Sequence, residues 1–370
     1  MSRQESASGR VRRASPLILS KWRVTTSSST WTRQTSLVRR ARGYPSQTSI
    51  HRRNIMAYLL TGGMGCIGSY VMRALLAAGE KVVVYDFTYD LTIPKMVLKE
   101  EQLEAFTFVQ GDITDLPHVL RTIQEYRISR VIHLASWQVP ACNANPPQAL
   151  KVVCEGTINM LEAARIFNLK RVVWASSVAV FGAPADYNHQ QILNDAPHYP
   201  KFIYGACKSL NERYATHYFD AYGVDSIGLR FTAVYGVGRT RGMSSFTTQL
   251  IEAVALGQPH VCPFGDDAVD WQYVEDVSRS IVLACTCPTT KTRVFNVKGG
   301  IRPVKEGVAY LKTLVPEAQI TLEPGVFGIS WDYDATAIAE EMGFTPAYTM
   351  EQGILKTFNQ FRARAGLETL

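Results

Sequence analysis

The stretch Ala57-Tyr58-Leu59-Leu60-Thr61-Gly62-Gly63-Met64-Gly65-Cys66-Ile67-Gly68 decides the fold of this chain. Its short apolar run predicts a buried strand. Four glycines follow within seven residues and lead into a helical pattern from Ser69 to Ala78. Strand, glycine turn and helix in this order are typical of a dinucleotide-binding turn.

The glycines of this stretch have separable roles in such a turn. Gly62 suits the tight turn itself, Gly65 lets the backbone approach a pyrophosphate, and Gly68 lets the helix pack close to the strand. The backbone N–H groups of Cys66 and Ile67 lie at the helix start, where the helix dipole favours phosphate. We therefore predict that all five residues bind a cofactor.

A second strand, Lys81–Asp86, follows and ends in an acid. A carboxylate at this place can accept hydrogen bonds from both ribose hydroxyls of the adenosine half of NAD. The 2′-phosphate of NADP would meet a like charge there, and the next residue, Phe87, offers no Arg to receive it. Asp86 therefore indicates NAD rather than NADP.

Strands and helices go on alternating after this point. This alternation predicts a Rossmann-type α/β fold, with a doubly wound parallel sheet that helices cover on both faces. From about Thr232 the alternation weakens, which indicates a smaller, mixed C-terminal substrate lobe. We expect an NAD-binding domain over 56–235 and a partly interleaved substrate-binding lobe over 236–370. The expected further strands are 106–109, 131–135, 171–177 and 226–231, with a long helix over 146–167.

Ligands of such sheets bind beyond the carboxyl ends of the strands. Asp112, Ile113 and Ala135 lie at these ends, and we predict that they contact the cofactor. Asp112 either reaches the adenine amino group or only shapes its turn. His133, inside the fourth strand, fits a core histidine better than a catalytic base. Trp137 either touches the substrate or packs within its loop.

Three side chains suit acid–base chemistry. Tyr204 and Lys208 are four residues apart at a helix start and share one face, and Ser177 ends the fifth strand. A phenol has a pKa of about 10, and a nearby ammonium favours the phenolate. Such a phenolate can take the proton of a secondary alcohol while hydride leaves its carbon. A Tyr and a Lys at this spacing also fit an ordinary amphipathic helix, but the upstream motifs favour the catalytic interpretation.

The net charge of +7 has an uneven origin. Residues 1–55 carry eleven Arg and one Lys against one Glu, so the remainder is mildly acidic and does not indicate nucleic-acid binding. The Arg- and Ser-rich segment suits a disordered basic tail or a mitochondrial-type transit peptide. It also suits a spurious upstream extension, because Met56 lies directly before the first strand. We expect a cytoplasmic protein, or a mitochondrial one if residues 1–55 are a transit peptide.

Two further classes receive no support. No apolar run approaches the ~18–20 residues of a membrane span, so we expect no membrane insertion. The seven Cys include no Cys-x-x-Cys pattern, and Cys285-x-Cys287 has no partner at metal-ligand spacing. Reduced intracellular thiols and no metal site are therefore expected.

Seven motifs in order resemble the extended short-chain dehydrogenase/reductase family, also called the NAD-dependent epimerase/dehydratase family. The resemblance runs from Ala57 to about Phe361 and implies NAD, a Rossmann domain, a C-terminal substrate lobe and often a homodimer. It also implies that Ser177, Tyr204 and Lys208 form the catalytic triplet. The motifs are Thr61-Gly62-Gly63-x-Gly65-x-x-Gly68, Asp86, Gly111-Asp112, Val131–Ala135, Ser176-Ser177-x-x-Val180-Phe181-Gly182, Tyr204-x-x-x-Lys208 and Leu229-Arg230-x-x-x-Val234-Tyr235-Gly236.

Departures from the family pattern bear on the substrate. Nucleotide-sugar members often carry an Arg at about the place of Val269 and an Asn where this chain has Ala233, so Arg239 or Arg241 becomes the candidate for binding a substrate anion. The 4,6-dehydratases carry Asp-Glu where this chain has Val178-Ala179, which cannot move a proton. The resemblance thus implies an NAD-dependent dehydrogenase of a sugar, sugar acid or other small hydroxy compound. The alternative is a sugar or nucleotide-sugar epimerase with tightly bound NAD that is reduced transiently.

Overall fold

A computed structural model describes residues 57–187, 191–329 and 331–370. The expectations for the basic segment 1–55 lie outside these residues. Among the helices of the described ranges, none combines the length and the apolar character that a membrane crossing requires.

A seven-stranded parallel sheet forms the centre of the molecule. Its strands lie in the order β3-β2-β1-β4-β5-β6-β11, which is the doubly wound order with one further strand at the edge. This arrangement confirms the predicted Rossmann-type α/β fold. The strands are β1 (Ala57–Thr61), β2 (Lys81–Asp86), β3 (Thr107–Gln110), β4 (Ile128–His133), β5 (Arg171–Ser177), β6 (Ser226–Phe231) and β11 (Val294–Asn296).

Helices cover both faces of this sheet. Alternate strand residues point to opposite sides, so Leu60 and Val84 pack with α1 and α10, whereas Leu59 and Val83 pack with α4, α7 and α8. Burial on both faces explains why the strands are apolar throughout. The helices are α1 (Cys66–Ala77), α2 (Pro94–Val97), α3 (Glu100–Leu103), α4 (Leu116–Tyr126), α5 (Val139–Ala144), α6 (Pro146–Ala149), α7 (Gly156–Phe167), α8 (Ile203–Tyr222), α9 (Ser245–Ala255), α10 (Val274–Thr286), α11 (Val304–Leu314), α12 (Thr336–Met342) and α13 (Met350–Arg364).

The helix expected over 146–167 is not a uniform α-helix. Between α6 and α7 the chain forms a π-helical segment, Leu150–Glu155. The wider π turn is rare and occurs frequently at functional sites. Here it places Val153 and Cys154 in a buried cluster with residues of α8.

The chain after β6 contributes both to the central sheet and to a smaller layer. Strand β11 pairs with β6 at the edge of the central sheet. The remaining strands pair in twos, β7 with β10, β8 with β13 and β9 with β12. The division at 235/236 stays a prediction. The short strands are β7 (Val234–Tyr235), β8 (His260–Cys262), β9 (Ala268–Asp270), β10 (Gln272–Tyr273), β12 (Ile301–Pro303) and β13 (Ile320–Leu322).

Candidate active site

The strand order reverses between β1 and β4, and a cleft opens at their carboxyl ends. The Thr61 hydroxyl holds the two strand ends together, because it accepts hydrogen bonds from the backbone N–H groups of Leu134 and Ala135, both at 3.2 Å. It also bonds His133 Nδ1 at 2.8 Å. Burial lowers the pKa of His133 to about 3, with a smaller effect of the Lys208 charge. The neutral ring therefore braces the strand ends and is unsuited to act as a base.

The glycine turn lies at the mouth of this cleft. Gly62 has φ +72°, and a Cβ there would lie 2.6 Å from the Ala135 nitrogen. At Gly68 a Cβ would lie 2.2 Å from the Gly62 carbonyl oxygen, so only glycine permits this contact. A Cβ at Gly65 would meet only that same oxygen, at 3.3 Å, and would otherwise occupy open space. The turn thus leaves a backbone-lined cradle at the first turn of α1.

A cavity of about 680 Å³ extends from this cradle along the strand ends. Eleven of the predicted site residues line it together, while Ser177, Tyr204 and Lys208 do not. Lys208 lies next to the cavity, because it bonds the carbonyl of Ala175, which is a lining residue. Tyr204 neighbours Lys208, and a hydrogen bond links it to Ser177. The eleven are Gly62, Gly65, Cys66, Ile67, Gly68, Asp86, Asp112, Ile113, Ala135, Trp137 and Arg239.

Asp86 lies beside the cradle, at the end of β2. Its Oδ2 accepts the N–H of Met64 at 3.1 Å, and its Oδ1 accepts the N–H of Phe87 at 2.8 Å. Burial raises the pKa of this carboxyl, and the two backbone hydrogen bonds partly oppose the shift. Each carboxylate oxygen has two lone pairs, so both retain acceptor capacity for hydroxyl groups. The open cradle and this acid together fit a dinucleotide whose ribose has both hydroxyls free.

Lys208 is buried, and its ammonium donates to the Ala175 carbonyl at 2.7 Å. Burial lowers its pKa to about 8. The Nζ atom lies 5.5 Å from the centre of the Tyr204 ring. The lysine is therefore fixed beneath the phenol by a backbone contact of β5.

The Tyr204 pKa differs from the expectation based on the sequence. Burial raises it to about 12, and the groups that oppose this rise are the Ser177 hydroxyl, by a hydrogen bond, and the charge of Arg239. The physical reason is that burial penalises the phenolate more than these neighbours stabilise it.

One wall of the cavity consists of two loops whose contact no sequence pattern revealed. Gly238, with φ +91°, packs against Ile93, since a Cβ there would lie 2.8 Å from Ile93 Cγ2. The Cys66 thiol donates to the Val237 carbonyl at 3.7 Å. The segment that follows β7 therefore lies over the first turn of α1. Nothing in the sequence marks Ile93 as the partner of Gly238.

Arg239 projects from this loop into the cavity lining. One of its terminal nitrogens donates to the Ser244 hydroxyl at 3.1 Å. Its buried Nε has no hydrogen-bond partner among the residues that the structure describes. Its charge lowers the pKa of Tyr204, so this cation acts electrostatically on the phenol.

Comparison with known proteins agrees with this geometry. The profile of the NAD dependent epimerase/dehydratase family matches residues 58–297. The UDP-glucuronate 4-epimerase of Thermodesulfobacterium geofontis is 28% identical, over 82% of this chain and 95% of the relative. A solved UDP-glucose 4-epimerase of Thermus thermophilus, in complex with NAD, is 26% identical with a TM-score of 0.70 and covers 83% of this chain and 99% of its own. The L-threonine dehydrogenase of Cupriavidus necator shares the fold, with 22% identity, a TM-score of 0.73 and coverage of 82% and 99%.

Three features define this chain as a dinucleotide-binding α/β enzyme. They are the order of the strands, the glycine cradle and the acid at the end of β2. This chain belongs to the NAD dependent epimerase/dehydratase family. Its cofactor is NAD, in agreement with the expectation from Asp86.

Proposed function

We propose that this enzyme oxidises a secondary alcohol of a small hydroxy compound that carries an anionic group, such as a sugar acid. The observation that carries this proposal is the position of Arg239, a guanidinium that lines the cavity and whose charge acts on the Tyr204 phenol. An anion bound by Arg239 would hold the neighbouring alcohol carbon near the phenol. A guanidinium is suited to a carboxylate because its donors match the carboxylate geometry.

The three polar side chains at the inner end of the cavity then have distinct roles. Tyr204 takes the alcohol proton, Ser177 hydrogen-bonds the same substrate oxygen, and Lys208 keeps a positive charge beneath the phenol. The chemistry that NAD supplies when bound is acceptance of a hydride. Since burial raises the Tyr204 pKa to about 12, positive charge near the ring favours the phenolate that the base step requires.

Two buried residues support a small substrate over a nucleotide-sugar. Val269 is fully buried and Ala233 is 1% exposed. The family resemblance assigns these positions to the Arg and the Asn of many nucleotide-sugar enzymes. Neither side chain here offers a polar atom, and neither reaches the cavity surface.

An epimerase is the second candidate. The loop at 236–242 packs over the first turn of α1, which suits a cofactor that is retained between turnovers. Relatives named as 4-epimerases support the same alternative. In such a reaction the hydride returns to the other face of the substrate carbon, and no net reduction of cofactor accumulates.

The test is a panel of sugar acids, polyols and UDP-sugars, applied to the purified enzyme with added NAD. Growth of NADH absorbance with a free sugar acid supports the dehydrogenase, and interconversion of UDP-sugars without net NADH contradicts it.

Arg239→Gln should raise KM for the anionic substrate about tenfold or more, the effect of losing a charged hydrogen bond. Arg121→Gln, at an exposed position on α4, is the matched control.

We further propose that the enzyme is a homodimer. Support comes from α8, where Ile203, Leu210 and Tyr214 are 41%, 40% and 37% exposed and recur at helical spacing. An exposed apolar stripe is typical of a protein contact. Light scattering after size exclusion should give twice the chain mass, and Leu210→Glu should halve the measured mass.

Location in the cytoplasm, or in mitochondria if residues 1–55 direct it there, stays a prediction, as does the absence of nucleic-acid binding.

A further inference from the structure

Three buried thiols lie together where the helix that carries Tyr204 and Lys208 begins. Cys142, Cys154 and Cys207 belong to one small buried cluster, against which the Tyr204 ring packs. All three are free cysteines. The proposed hydride-transfer chemistry uses none of them.

Two of these thiols touch although they are far apart in the sequence. The Cys154 thiol donates to the Cys207 carbonyl at 3.5 Å, and the two sulfur groups also interact with each other. Cys154 lies in the π-helical segment, and Cys207 lies in the first turns of α8. A disulfide needs Cβ atoms about 3.5–4.5 Å apart. The contact of the Cys154 sulfur with the Cys207 carbonyl and the cluster that both residues share place the two cysteines next to each other across two packed elements.

The surroundings of Cys207 favour its ionised form. The hydrogen bond with Cys154 lowers the pKa of the Cys207 thiol, and the neighbouring Lys208 charge acts in the same direction against burial. Thiolates rather than thiols are the nucleophiles in cysteine oxidation. Cys207 is also 6% exposed, against 2% for Cys154 and 0% for Cys142.

We propose that Cys154 and Cys207 form a reversible disulfide when a peroxide-class oxidant enters the site. The Cys207 thiolate attacks one peroxide oxygen, the O–O bond breaks, and a sulfenic acid forms as the other oxygen leaves as water after taking up a proton. The Cys154 sulfur then attacks the Cys207 sulfur, and a second water leaves. Two thiols lose two electrons and two protons, and one hydrogen peroxide becomes two waters.

Such a bond would tie the π-helical segment to α8 beside Lys208. The Tyr204 ring packs on the same cluster. Formation of the disulfide would therefore affect the groups that transfer the proton. This inference rests on the 3.5 Å contact of the Cys154 sulfur with Cys207 and on the buried cluster that the two residues share, and it does not depend on which alcohol the enzyme oxidises.

The test treats the native, full-length enzyme with hydrogen peroxide, blocks the remaining thiols and maps peptides by mass spectrometry without reduction. The expected result is a cross-linked pair of peptides that contain Cys154 and Cys207, with a mass lower by two hydrogens, which dithiothreitol separates. Cys142→Ser and Cys262→Ser should leave this product unchanged. Cys154→Ser should abolish it and leave sulfenic acid on Cys207, which a dimedone-type reagent captures.

Two outcomes would overturn the proposal. One is that Cys154 and Cys207 both remain free thiols at peroxide levels that oxidise exposed thiols of a reference protein. The other is that Cys207 pairs with Cys142 instead. Because the mapping uses the unaltered protein, failure of a serine variant to fold does not affect either result.

Discussion

Gly62 shows how much of this site depends on a single residue. Its φ of +72° and its contact with Ala135 allow β1 to turn sharply beside β4. A side chain would both occupy a left-handed conformation and strike the backbone of the neighbouring strand end. The turn that we propose to hold the cofactor phosphates and the opening of the cleft therefore share one requirement for glycine.

Gly62→Ala should impair NAD binding far more than Gly79→Ala. Both residues have a positive φ, of +72° and +76°, but a Cβ at Gly79 would meet no atom within 4 Å. In each variant the alanine must adopt a left-handed backbone conformation, which lowers the free energy of unfolding by about 1–2 kcal/mol. Only Gly62→Ala also displaces the Ala135 backbone. Titration with NAD should show at least a roughly tenfold weaker Kd for Gly62→Ala. Equal affinity of the two variants would contradict this account of the turn.

Tyr204→Phe should abolish most of the activity and preserve the cofactor site. The phenol is the proposed base, and loss of a positioned acid–base group lowers the rate by at least ~10²-fold. The measurement is kcat on a substrate found with the panel, beside a direct NAD titration. Unchanged kcat would remove Tyr204 from the mechanism, whereas loss of NAD binding would point to a folding defect.

At the scale of elements, a buried ion pair joins α8 to β6. The Arg230 guanidinium contacts both carboxylate oxygens of Glu212, at 2.9 Å and 2.7 Å. Glu212 also accepts from the Ser176 hydroxyl at 2.6 Å. Burial alone would raise the pKa of Glu212, but the bonds from Arg230 and His198 outweigh it and hold the pKa at about 2. The helix that carries Tyr204 is thus anchored to the strands below it.

Glu212→Ala should strongly destabilise the protein. Removing one partner of a buried ion pair leaves the other charge unpaired, at a cost of about 3–5 kcal/mol. Urea unfolding measures this loss. Glu306→Ala is the matched control, because Glu306 pairs with Arg302 on the surface, and such pairs contribute about 0–1 kcal/mol. A loss for Glu212→Ala as small as that of the control would contradict the anchoring role.

The elements also show what a sequence can reveal. Strands β5 and β6 have the predicted bounds because each is a continuous run of strand-forming residues next to a polar or turn residue. Strands β12 and β13 were not predicted, since each pairs three residues with a distant segment and carries no periodic signal. Helix α12 was also missed. The π-helical segment has the same apolar pattern as an α-helix, so only the tertiary structure reveals its wider turn.

The same distinction applies to the site. The glycine turn and Asp86 could be predicted because local spacing defines them. The wall formed by Ile93 and Gly238 could not, because it depends on how two distant loops pack. The tyrosine pKa was misjudged for a related reason. Its value depends on burial and on Arg239, and neither can be read from the spacing of Tyr204 and Lys208.

At the scale of the whole molecule, bound NAD should stabilise the fold and NADP much less. A ligand at 100 times its Kd adds about 2.7 kcal/mol to the free energy of unfolding. The Asp86 carboxylate would repel a 2′-phosphate at this place. Thermal unfolding with each cofactor at equal concentration measures the difference in Tm. Equal shifts in Tm would contradict the role of Asp86 in selecting NAD. Asp86→Asn should reduce the difference between the Tm shifts that NAD and NADP cause.

The pairing of β11 with β6 also has a consequence for synthesis of the chain. While the ribosome is making residues 232–293, the edge of β6 that β11 later covers lacks its native partner. This strand, Ser226–Phe231, is buried throughout in the finished protein, and an open apolar strand edge invites pairing with other chains. The nascent chain is therefore open to aggregation through this edge until β11 has been made.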